Sequence, residues 1–135
     1  MTDNEFSDAG TLRAQGHSHH VTIAEPGRLA ILQGQCPVDA SEKVVGVGDV
    51  ETQVRQIAAN TLSTLHDVGA GPEHVIRSVV YVLSDDSAEV SRVWRLLVAS
   101  PIGEAFRSAS SVVGVSALGY PDQLVEVELT ARLPE

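Results

Sequence analysis

Val75-Ile76-Arg77-Ser78-Val79-Val80-Tyr81-Val82-Leu83 is the stretch on which the fold turns. Its run of β-branched and aromatic residues predicts a strand. Alternation places Val75, Val79, Tyr81 and Leu83 on one face and Ile76, Val80 and Val82 on the other. Both faces are apolar, and a sheet built around such a strand needs cover on both sides. The chain supplies two helices. Apolar residues recur at Val50, Val54, Ile57, Ala58, Leu62, Leu65 and Val68, with Asp49 as N-cap and Gly69 as the stop. A second helix follows Ser84-Asp85-Asp86, where Asp86 and Glu89 have capping-box spacing. Val90, Val93, Trp94 and Leu97 form its apolar stripe, with Trp94 read as core. Two helices cover one face of a sheet, so the other is expected to meet further copies of the chain, with a ligand cleft at the seam.

The flanking segments complete the sheet. His17–Ala24 and Arg28–Gln33 lie either side of the turn signal Glu25-Pro26-Gly27, which predicts a hairpin. Val44–Gly48 reads as a short strand or an extended loop. Ser110–Ala117 and Leu124–Arg132 predict two more strands, joined by Gly119-Tyr120-Pro121-Asp122. The order β-β-α-β-α-β-β is an α+β arrangement, a mixed sheet with two helices on one face. Residues 1–16 are polar and patternless and are expected to be a flexible lead with room for one short strand, with residues 17–135 as a single domain.

Composition narrows the function. At 135 residues the chain has room for one domain, and it can bury a core without metal or disulfide staples. Aromatics are only 4%, so that core must be built from Val, Leu, Ile and Ala. The net charge is −9, Lys43 is the only lysine, and there is no basic cluster. Phosphate backbones and anionic membrane surfaces both need clustered cations, so neither is an expected partner. Cys36, the sole cysteine, cannot form an intrachain disulfide. No apolar run reaches the ~18–20 residues of a membrane span, and the first 20 residues lack the apolar core of a signal peptide. A cytoplasmic setting is the expectation.

The closing strand carries the first candidate chemistry. Val125, Val127, Leu129 and Ala131 share one face; Leu124, Glu126, Glu128, Thr130 and Arg132 share the other. The apolar face should meet the helices, which turns Glu126 toward the seam between subunits, where a carboxylate can hold a water. His17, His19 and His20 cluster, but without the spacing and extra ligands of a zinc site they read as ordinary strand residues. His66 and His74 flank a turn and read as surface. Gly46-Val47-Gly48-Asp49 is too sparse for a dinucleotide fingerprint. No metal and no cofactor are expected.

Several short segments, in order, resemble the Rid family (reactive intermediate deaminases, also called YjgF or L-PSP proteins). Gln33-Gly34-Gln35-Cys36-Pro37 is similar to the family's Ser-Gly-Gln-Ile-Pro segment. Gly48-Asp49-Val50-Glu51-Thr52-Gln53 is similar to its helix opening, and Asn60-Thr61-Leu62 to its mid-helix Asn-Leu. Gly69-Ala70-Gly71 through Val75-Ile76-Arg77 resembles its Ala-Gly turn and following strand. Leu124-Val125-Glu126-Val127-Glu128 resembles its closing Val-Glu-Ile-Glu strand, and His17-Ser18-His19 its Tyr-Ser-His opening. The ordered set, rather than any single motif, carries the resemblance.

The resemblance implies a chorismate-mutase-like homotrimer with a small-molecule cleft at each subunit interface. It implies hydrolysis of enamines or imines, in which a glutamate on the last strand holds the attacking water, an arginine in a Pro-x-Arg-Ser segment grips the substrate carboxylate, and a glycine and a tyrosine shape the pocket. Gly34 matches the glycine, Glu126 the glutamate, and His17 the tyrosine position. The arginine position holds Ser110, beside a retained Ser111, and Arg107 lies three residues earlier as a candidate surrogate. Cys36 is read either as lining the cleft beside Gly34 or as a buried, inert thiol. Serine cannot reproduce a bidentate clamp worth about 1.5–3 kcal/mol, so weak activity on amino-acid-derived imines is expected. The alternative is a non-catalytic binding or regulatory module of the same fold. The endoribonuclease label of some relatives sits poorly with the net charge.

Overall fold

A computed structural model describes residues 4–7 and 21–135. Its main sheet has four strands in the order β3–β6–β4–β5: β3 is Leu29–Ile31, β4 Val75–Leu83, β5 Ala109–Val115 and β6 Val125–Arg132. β4 and β5 run parallel; the other two pairings are antiparallel. A parallel pair needs a crossover, and α2 (Ser87–Val98) supplies it. α1 (Val50–Asp67) leads into β4. The α+β architecture and both helices stand as the sequence predicts.

Local chemistry sets the helix ends. Asp49 accepts the Thr52 N–H to open α1, and Asp86 accepts the Ala88 N–H to open α2. Past α1, Gly69 takes φ +78°, a left-handed conformation in which only glycine is unstrained. Val54, Ile57, Ala58 and Leu65 of α1 and Val93, Trp94 and Leu97 of α2 pack on Val80, Val82, Val125, Val127, Leu129 and Ala131 of the sheet. Trp94 meets the fully buried Phe106 edge to face, with ring centroids 5.3 Å apart. The buried amide of Gln53 ties the helix layer to both flanking loops. Its Nε2 donates to the carbonyls of Gly46 (3.0 Å) and Asp122 (2.9 Å), and its Oε1 accepts the Leu124 N–H (2.8 Å). No described helix is long and apolar enough to cross a membrane.

The opposite face of the sheet has no cover in the single chain. Ile31 is 77% exposed, Leu29 53% and Val113 40%. Val79, Tyr81, Leu83 and Val115 are half-buried beside Glu126, Glu128 and Thr130.

The structure corrects three sequence expectations, the hairpin, the side of Val75 and the setting of His74. The predicted hairpin does not form. β2 (Val21–Ala24) pairs with β1 (Asn4–Ser7), which falls in the expected flexible lead, while β3 pairs with β6. The turn itself is held from elsewhere, because the buried Arg132 guanidinium donates to the carbonyls of Glu25 (2.7 Å) and Pro26 (2.8 Å). Arg132 shares the face of its cross-strand partner Leu29, as alternation predicts, but is buried under the turn it holds. Val75 changes sides because a register irregularity between Val75 and Arg77 resets the alternation, leaving Val75 buried with Val80 and Val82. His74 is not a free surface residue, since its Nδ1 accepts the Gly71 N–H at 2.9 Å. The Val44–Gly48 segment is a loop carrying one isolated bridge, Val38 to Val44.

Candidate functional site

Glu126 lies on β6 between the buried residues Val125 and Val127, so its side chain emerges on the open face of the sheet. The segment Gly34-Gln35-Cys36 runs directly alongside. It is pinned by a two-way backbone bridge, Gln35 N–H to Val127 O at 2.7 Å and Val127 N–H to Gln35 O at 3.1 Å. From α1, Asn60 Nδ2 donates to the carbonyls of Cys36 (3.1 Å) and Val38 (2.9 Å). Gln56 fixes that amide by donating to Asn60 Oδ1 at 2.9 Å. Helix, loop and strand thus hold one another in register around the carboxylate.

The contacts at Glu126 are close. A Cβ placed on Gly34 would lie 2.2 Å from Glu126 Oε2, so no other residue fits there without moving the carboxylate. Glu126 Oε1 accepts two uncharged donors, the Cys36 thiol at 3.3 Å and the Gln123 amide at 3.2 Å. Burial pushes the Cys36 thiol up to about 11, helped by the hydrogen bond to Glu126 and its charge. At neutral pH Cys36 is therefore a thiol that donates, not a thiolate nucleophile.

Beyond Glu126 the open face dips into a depression of about 470 Å³ lined by Tyr81, Val115, Leu118, Gly119, Glu126 and Glu128. That volume suits a small metabolite. Tyr81 stands opposite Glu126 in the β4–β6 register and donates its hydroxyl to Glu128 Oε1 at 2.6 Å. The hydrogen bond to Glu128 raises the Tyr81 phenol above its usual range. Among the described residues no three His, Cys, Asp or Glu side chains converge as metal ligands would.

The structure therefore brings Gly34, Cys36 and Glu126 together. It places Ser110 on the other side of the sheet: Ser110 is the parallel partner of the buried Ser78, whose hydroxyl donates to it, and Ser110 in turn donates to the Ser108 carbonyl at 2.8 Å. Arg107 ends a short 3-10 turn, Gly103–Arg107, and is exposed. His17, with His19 and His20, lies outside the described residues. Three site features escape sequence reasoning. Gln123 and Asn60 are ordinary amides in the sequence, and only the fold aims them at Glu126 and Cys36. Arg77 is a cation on the open face, donating to the Ala109 carbonyl (3.0 Å) and Ser111 Oγ (3.3 Å). It lies four residues from Tyr81, about 13 Å along β4; its place beside Ser111 was implicit in the β-strand pattern but needed the β4–β5 register to be seen.

Known proteins share this design. The family model described as Endoribonuclease L-PSP matches residues 11–133. A RutC family protein of Synechocystis is 32% identical over 118 residues, covering 86% of each chain. A conserved Rid-family protein of unknown function from Yersinia pestis, YyfB, superposes with a TM-score of 0.86 at 27% identity, over 98% of this chain and 100% of that one. A YjgF-family protein from Neisseria meningitidis shares the fold, with a TM-score of 0.60 at 21% identity over 99% of this chain and 98% of the other. With the family model spanning all but the ends of the sequence, the chain belongs to the L-PSP family, the Rid or YjgF proteins.

Proposed function

We propose that the chain is a hydrolytic deaminase of enamines or imines, working as a homotrimer whose copies cover the open sheet face and wall the site at Glu126. One observation carries the reading: a carboxylate seated over a glycine that tolerates no Cβ, with one oxygen held by Cys36 and Gln123, on a residue that also lines a metabolite-sized depression. In this reading Glu126 takes a proton from water as the water oxygen attacks the C=N carbon. The same carboxyl returns the proton to the nitrogen, giving a carbinolamine. It then carries the hydroxyl proton of that intermediate to the nitrogen as the C–N bond breaks and the C=O bond forms, and ammonia and a carbonyl compound leave. Positioning the water and the proton acceptor is the part of the barrier the protein lowers. No metal or cofactor is required by this chemistry.

The substrate we infer lacks a carboxylate beside its imine. The residues lining the depression include no arginine or lysine, and Glu126 and Glu128 make it acidic. A neutral or cationic substrate fits that field better than an anion. The same acidity, with a net charge of −9, disfavours RNA despite the family's ribonuclease name.

The test is ammonia release from freshly generated imines, 2-iminobutyrate against a carboxylate-free imine. The neutral imine is expected to turn over faster, and Glu126→Gln to lower the rate by roughly 10²–10⁴-fold. Tight binding of small metabolites with no ammonia release from any imine would instead establish a non-catalytic binding module.

A further inference from the structure

We propose that Gln123 and Cys36 are positioning residues for Glu126, holding Oε1 with two uncharged donors so that Oε2, the oxygen over Gly34, is the one that exchanges a proton with water. This rests on the reading of Glu126 as the water-holding carboxylate. A free carboxylate turns readily about its last bond and presents either oxygen. Here three contacts stop that exchange. Gln123 is only 1% exposed, and its amide orientation is fixed because Oε1 accepts the Tyr120 N–H at 3.1 Å. Its Nε2 must then point at the Val125 carbonyl (3.1 Å) and at Glu126 Oε1 (3.2 Å). The Cys36 thiol reaches the same oxygen from the loop that the Gln35–Val127 bridge pins beside β6. Gly34 gives Oε2 its slot.

The arrangement also divides the charges. Both donors to Oε1 are neutral, so neither forms an ion pair with the carboxylate. An arginine or lysine in either place would form an ion pair and weaken the base. Among the described residues Tyr120 also faces the thiol, and its phenol is raised by the charge of Glu42 foremost and by Cys36. Gln123 and Tyr120 both belong to the turn before β6, so the turn that closes the strand also fixes its catalytic side chain.

Cys36 is the only cysteine, so an alkylating probe reads this contact alone. The experiment measures iodoacetamide alkylation against pH in the unmodified protein and in Glu126→Gln, and imine-hydrolysis kinetics in Cys36→Ala and Cys36→Ser. Removing the Glu126 charge should raise the alkylation rate at pH 8 roughly tenfold. Cys36→Ala should lower kcat roughly fivefold with KM unchanged within about twofold, and Cys36→Ser, which restores a donor but not the bulk of sulfur, should recover most of the loss. Gln123→Met also unpins the turn, so the Cys36 pair decides. An alkylation profile indifferent to Glu126→Gln, or a serine variant no better than alanine, overturns the positioning role while leaving Glu126 in place. Absence of turnover in the unmodified protein overturns the deaminase reading, and the positioning role with it.

Discussion

The two faces of the β3–β6–β4–β5 sheet are built from the same strands and treated in opposite ways. On one, Val80, Val82, Val125, Val127 and Leu129 are at most 2% exposed under α1 and α2. On the other, Ile31 and Leu29 stand out at 77% and 53% exposed on the face that also carries Glu126 and Glu128. The covered face has its packing partners within the chain, so its residues determine folding. The open face holds the apolar surface and Glu126 together, so in the proposed function its residues are the ones that serve assembly and chemistry. A monomer rarely leaves such a patch open.

Substitutions should separate the faces. The largest effect on stability belongs to the covered side. Phe106→Ala removes the edge-to-face partner of Trp94 and should cost about 3–5 kcal/mol in denaturant unfolding, whatever the protein concentration. A cost that shrinks as concentration falls would blur the distinction. Next is Ile31→Asp on the open side. It should leave the circular dichroism of the chain intact and dissociate the assembly in sedimentation velocity, since burying one isoleucine is worth about 1.5–3 kcal/mol and a carboxylate at a seam opposes association. Retained assembly would place the contact elsewhere.

Gly34→Ala acts on the site alone. The new Cβ meets Glu126 Oε2, so the carboxylate must move, and imine turnover should fall roughly 10- to 100-fold with a smaller change in unfolding midpoint. Normal turnover in that variant would mean the observed seat of the carboxylate is not the working one. The smallest effect lies at the helix end. Asp49 is held below the usual carboxylate range foremost by the Thr52 hydroxyl and then by its N–H. A lowered folded-state value stabilises above the unfolded value of about 3.9 and is lost as pH falls through the folded one. Asp49→Ala should therefore lower thermal stability slightly at pH 7 and match the unmodified protein in strong acid.

The covered face was the legible one. The stripe from Val50 to Val68, the caps Asp49 and Asp86, and the alternation in Val125–Ala131 are local patterns, and they mark the helices and the side to which Glu126 points. What the sequence hid was non-local. Nothing in Arg28–Gln33 says that it pairs with β6 rather than with the neighbouring β2, because strand partners are chosen by distant surfaces. Val75 changed sides through an irregularity that no residue announces. Ser110 shows the same limit at the site: a one-residue change of register reverses a strand's faces, and similarity of motif did not fix the register. Gln123, buried against Glu126, has no signature beyond being a glutamine in a turn.

The mass of the assembly in solution tests the central claim most directly. At micromolar concentration, three chains of 14.3 kDa should sediment together at about 43 kDa, with Ile31, Leu29 and Val113 protected in hydrogen exchange of their strands. A single 14.3 kDa species with those strands exchanging freely would contradict it.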